Sequence, residues 1–158
     1  MDFLLKYKLQ PNFSDENDGK QYFICMSLFE RIDNLNELSE NKNLMLCLIN
    51  ASLIADKKQV MVAANKALHS SIANKLKTKS LNSEILFNLS PSKNINTALN
   101  TFGINSKAKE FIAVAIEENG DNASDTPFDQ IIGESVPFEK LTNFSDWDKI
   151  NDSAQKHD

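Results

Sequence analysis

Apolar and polar positions along this chain mark out most of its elements. Residues 3–9, FLLKYKL, alternate in part and lead to Pro11, as a strand ending in a turn does, and the polar run NFSDENDGK that follows reads as a loop. Residues 22–29, YFICMSLF, are apolar and aromatic over strand length and predict a second strand antiparallel to the first. Asp33 or Asn34 then stands where a helix from Leu35 needs a cap, with Glu37 in the first turn, where an acid suits the helix dipole. Leu44 to Ile54 is apolar almost throughout, and periodicity leaves helix and strand both open there.

The middle is more regular. Val60, Ala64, Leu68, Ile72 and Leu76 recur every four residues, which predicts a helix from about Lys57 to Asn74 with these on its buried side. Ser80 or Asn82 caps a second helix, which must stop before Pro91 because the residue preceding a proline disfavours helical geometry. Asn94 caps a third, carrying Ile95, Ala98, Leu99 and Phe102, and Gly103 with Ile104 predicts a left-handed closure against Leu99. Residues 111–116, FIAVAI, predict a strand. Residues 117–130 are acidic and turn-rich and read as a mobile loop, after which Ile131, Ile132, Val136, Phe138, Leu141, Phe144 and Trp147 return one short element to the core. Few strands at the two ends around a helical middle give an α+β domain: a small, mainly antiparallel sheet with the helices on one face. At 158 residues the chain suits a single domain over 1–150, with 151–158, NDSAQKHD, as a disordered tail.

Charge changes this picture. From Lys57 to Lys109 nine lysines face a single acid, Glu84, on a chain whose net charge is −5, so a basic middle sits on an acidic frame. Lys75, Lys77 and Lys79 alternate, so in an extended linker their ammonium groups project the same way. Helix N-termini near Ser80 and Asn94 follow, offering free N–H groups to an anion, and the turn SPSKN adds hydroxyls and Lys93.

Catalytic chemistry finds little support. The four glycines never cluster, so there is no phosphate-cradling loop, and no serine sits in a nucleophile elbow. Glu117 and Glu118 read as a solvated strand end. His69 lies on the same helical stretch as Lys66 and reads as a partly exposed surface residue, the alternative being that it lines a polar groove. The two cysteines, in apolar surroundings, read as buried thiols; no metal site and no cofactor are expected. The longest apolar run, Leu44 to Ile49, is far below membrane-spanning length, and the N-terminus lacks a signal-peptide pattern, which points to cytoplasm or nucleus.

The segment VAANKALHSSIANKLKTKSLNSEILFNLSPSKNINTALNTFGI resembles the signature of the PRPK-binding protein family, the small non-catalytic subunit of the EKC/KEOPS complex, and the similarity extends over about residues 48–117. The strongest matches are AANKA, KTKSLNSEILFNLSPS and the NI, AL and FGI pieces ending at Ile104. The resemblance implies a direct partner in the PRPK-type kinase, the remaining KEOPS subunits as indirect partners, and a role beside tRNA threonylcarbamoyladenosine synthesis in cytoplasm and nucleus. It also implies tRNA 3′ CCA-end binding, with Lys66, Lys77, Lys79, Glu84, Ser90, Ser92, Lys93 and Asn94 carried over as RNA contacts. In one respect the chain departs from the family pattern, which continues past the position of Lys149 with a further strand-like piece and a terminal helix, where no apolar helical pattern is found here. Without the family, the basic face suits a stand-alone binding module for a small anion or an acidic peptide.

Overall fold

The central strand of the sheet is its longest, because both of its edges are used. In the computed structural model, which describes residues 3–10, 20–41, 44–105, 107–118 and 128–155, β2 (Tyr22–Ile32) pairs antiparallel along one edge with β4 (Phe111–Glu118). The other edge is shared end to end: β1 (Leu5–Leu9) pairs with Tyr22 to Met26, and β5 (Gly133–Val136) pairs with Leu28 to Ile32 across a bulge between Phe29 and Arg31. β3 (Cys47–Asn50) closes the far side against β4. The result is a five-stranded, wholly antiparallel sheet.

The helices are α1 (Leu35–Glu40), α2 (Lys57–Ile72), α3 (Leu81–Leu89), α4 (Ile95–Phe102), α5 (Leu141–Phe144) and α6 (Trp147–Gln155). One face of the sheet, with Ile24, Met26, Leu28, Ile49, Ile112 and Val114, packs on Val60, Ala64 and Leu68 of α2, Ile85 of α3 and Phe102 of α4. Each large aliphatic side chain buried this way is worth about 1.5–3 kcal/mol in transfer terms. The opposite face, with Cys25, Phe29, Leu48, Phe111 and Ala113, is covered too, by Leu38 of α1, Phe128 and the partly buried Ile104 and Ile131. The α+β class therefore holds, while the expectation of cover on one face does not. Burial on both sides is why YFICMSLF and FIAVAI are apolar without alternation.

The open stretch from Leu44 to Ile54 is a strand followed by a 3-10 turn over Ala51–Leu53, capped by Asn50, whose Oδ1 accepts from the Ser52 amide at 3.2 Å. Ser80 caps α3 and Asn94 caps α4, as read from the sequence; α2 is capped by Asp56. Asn82 instead gives its side chain to the Leu46 carbonyl. No side chain caps α1, because the Asn34 carboxamide is spent on the chain that crosses it, donating to the Gln130 carbonyl at 2.8 Å and accepting from the Ile132 amide at 2.9 Å.

The left-handed closure expected at Gly103 forms elsewhere. Gly103 has φ −93°, whereas Asn74 has φ 57° and ends α2, with Lys75 N–H bonded to Ser70 O and Asn74 N–H to Ser71 O. Gly103 is required for a different reason: a Cβ there would lie 2.6 Å from the Leu99 carbonyl oxygen and 3.2 Å from Leu86 Cδ1.

Glu117 and Glu118 finish β4, in line with their reading as a strand end, while the loop reading for 117–130 fails at its far described end, where Phe128, 1% exposed, begins a 3-10 turn. The rest of that loop, like most of NFSDENDGK, lies outside the described residues. Beyond it the chain builds β5, α5 and α6 rather than one short element. Ser145 Oγ donates to Ile54 O at 2.7 Å and Asp146 N–H to Ser52 O at 2.8 Å, anchoring the α5–α6 junction to the turn after β3. Helix α6 runs on to Gln155, so residues 151–155 are helical where a disordered tail was expected.

Candidate functional site

The candidate residues divide into three places around α2 and α3. Lys66, on the exposed side of α2, lines a groove of about 530 Å³ together with Lys8, Leu9, Gln10, Met61, Val62, Asn65 and His69. His69 and Lys66 thus share a groove, as the sequence suggests, but its other wall is the end of β1, which no helical period announces.

Lys77 and Lys79 sit in the connection from α2 to α3. That connection is a series of bends rather than a strand, yet exposure alternates along it: Lys75, Lys77 and Lys79 are exposed, Leu76 and Thr78 half-buried. The three ammonium groups do face outward, for a reason other than strand pleating. Glu84, on the first turn of α3, is 1% exposed and accepts from Lys77 N–H at 3.0 Å, Thr78 N–H at 2.9 Å and Thr78 Oγ1 at 2.8 Å. A buried carboxylate costs free energy unless hydrogen bonds satisfy it, and this one is satisfied by the loop it underlies. Glu84 is therefore an internal acceptor and not a surface contact. The residue missed was Thr78, whose inward turn has no signature in the sequence.

Ser90, Ser92, Lys93 and Asn94 lie at the other end of α3, about 13 Å away for a nine-residue helix. Their polar side chains are largely committed. Ser90 Oγ accepts from Ser92 N–H, Ser92 Oγ from Asn94 N–H, and Asn94 Oδ1 from Thr97 N–H, each at 3.1 Å, and Ser92 is 8% exposed. Lys93 is exposed. The candidates thus form no single constellation.

Free charge is what the surface offers. Among the described residues no ion pair involves Lys66, Lys75, Lys77, Lys79 or Lys93. Lys57 differs: it hydrogen-bonds Tyr7, which raises its pKa, and its ammonium lies 5.5 Å from the Tyr7 ring centroid. The large apolar residues between Leu44 and Ile72 are mostly absorbed by the two-sided core, leaving Met45, Val62 and Ile72 exposed.

Comparison with known proteins gives a family. The family model described as kinase binding protein CGI-121 matches residues 29–153. The EKC/KEOPS complex subunit TPRKB of Danio rerio is 35% identical over 135 residues, covering 82% of this chain and 77% of that protein. The EKC/KEOPS complex subunit CGI121 of Kluyveromyces lactis is 30% identical over 138 residues, covering 85% and 82%. The Aspergillus fumigatus subunit cgi121 is 33% identical over 119 residues, 72% of this chain and 63% of that protein. The family model spans most of the chain, from the end of β2 to near the end of α6, so this chain belongs to the CGI-121 family of kinase-binding proteins.

Proposed function

We propose that this chain is the non-catalytic, kinase-binding subunit of an EKC/KEOPS complex, working in cytoplasm and nucleus, and that its basic middle engages the single-stranded 3′ CCA end of tRNA in support of threonylcarbamoyladenosine synthesis. Family membership over most of the chain carries the kinase half. A permanent partner should bury on the order of 1,200–2,000 Å² in total. The RNA half is supported by exposed lysines without ion pairs on a chain of net charge −5, where a local basic region favours one short anionic segment while the acidic frame repels the rest.

Two measurements test it. Co-expressed with a PRPK-type kinase, the chain should co-elute at micromolar concentration; separate elution sinks the kinase half. Intact tRNA should bind more tightly than tRNA lacking its CCA end, with a log–log salt slope near −2 for about three lysine–phosphate contacts at Lys66, Lys77 and Lys79. Equal affinity for the two RNAs sinks the RNA half and leaves a kinase-binding scaffold.

A further inference from the structure

The connection from Lys75 to Ser80 has no helix or strand ladder to hold it. Its backbone is tied at the ends, by Lys75 N–H to Ser70 O and Glu84 N–H to Ser80 O, and between them the bonds to Glu84 Oε1 fasten the middle. All three go to one oxygen, and Thr78 contributes two of them. No salt bridge involves Glu84 among the described residues, and the donors to its Oε1 are two backbone amides and one hydroxyl.

We propose that Glu84 is a positioning residue for the lysine comb above it: the buried carboxylate pulls Thr78 inward, and the alternation of the chain then turns Lys77 and Lys79, flanked by Lys75, toward solvent as a preformed anion-binding edge. The inference rests on the proposed RNA contact of these lysines. Three cations within five residues repel one another, and a carboxylate beneath them offsets that repulsion when no anion is bound. An anion then meets donors already in place, and the ordering cost of binding is reduced. An apolar residue at 84 would avoid burying a charge but would leave the loop amides without this acceptor.

The test uses the full-length chain, intact tRNA as probe and amide exchange at Lys77 and Thr78. Glu84→Ala should speed exchange at both amides and lower the salt slope by roughly 0.7 for each lysine that no longer reaches a phosphate. In a Lys77→Ala/Lys79→Ala background it should have no further effect on RNA binding, since residues acting through one another are non-additive. Glu84→Gln, which keeps an acceptor oxygen, should restore part of the protection. A folded Glu84→Ala chain with unchanged exchange and slope overturns the proposal, as does an undiminished effect of the substitution in the lysine-free background. If the lysine double variant binds RNA like wild type, the RNA reading fails, and the amide exchange of Glu84→Ala alone decides whether the carboxylate anchors the loop. Should Glu84→Ala not fold, Thr78→Val, which leaves the carboxylate and both loop amides, takes its place: faster exchange supports the proposal and unchanged exchange overturns it.

Discussion

The side-chain amide of Asn65 and the backbone of Gln10 form a two-way pair: Gln10 N–H donates to Asn65 Oδ1 at 3.1 Å, and Asn65 Nδ2 donates to Gln10 O at 3.2 Å. A side chain on α2 thereby continues the hydrogen bonding of β1 one residue past the strand, over a separation of 55 residues, and shapes the groove that holds Lys66. Both bonds are exposed, so water can replace either one. Asn65→Ala should lower stability by about 0.5–1.5 kcal/mol, read as a lower urea midpoint with unchanged slope and faster exchange at Gln10. An unaltered midpoint and exchange rate would show that the pair contributes nothing.

Phe128 offers a sharper test of the two-faced core. It is 1% exposed against Phe29, Phe111 and Leu38, so Phe128→Ala should cost about 3–5 kcal/mol in denaturant unfolding. A side chain on a mobile loop would change stability by less than about 0.5 kcal/mol.

Gly103→Ala should destabilise the chain by about 1–3 kcal/mol, because the new methyl meets the Leu99 carbonyl at 2.6 Å and the end of α4 must shift off α3. Thermal melting checks it; a melting temperature equal to wild type would mean that the α3–α4 contact yields freely.

Cys47 is 2% exposed, and burial pushes its thiol from 9.0 up to about 12. The folded state keeps the proton where the unfolded chain releases it, so the contribution is complete below pH 9 and is lost as pH rises from 9 toward 12. Stability should fall more steeply over that window in wild type than in Cys47→Ala, in urea titrations at a series of pH values. At neutral pH the native thiol should resist alkylation that proceeds readily once the chain is unfolded. Rapid native labelling of Cys47 would contradict this placement.

Features that depend on neighbours in the chain were legible in advance. Ser80 and Asn94 cap their helices because a side-chain oxygen needs only to reach an amide three residues on, and α3 stops before Pro91 because the clash is with the adjacent residue. The lysine excess was equally plain, since it is a count. Asn34 misled for an instructive reason. Its local chemistry suits a cap, but Gln130 and Ile132, nearly a hundred residues away, compete for the same carboxamide and win.

The sequence by itself thus determined the helices of the middle, the strands β2 and β4, and the basic surface, all of which follow from local spacing and composition. Only the tertiary structure decided that Leu44 to Ile54 is a strand and a turn, that both faces of the sheet are covered, and that Glu84 is a buried acceptor. In each case an apolar or polar side chain is compatible with several environments, and the choice is made by whichever distant segment desolvates it and satisfies its hydrogen bonds. Glu84 shows this most directly. As one acid among nine lysines it reads as a surface residue, but once α3 packs on the sheet its carboxylate is cut off from water, and the amides and hydroxyl of Lys77 and Thr78 are the donors within reach.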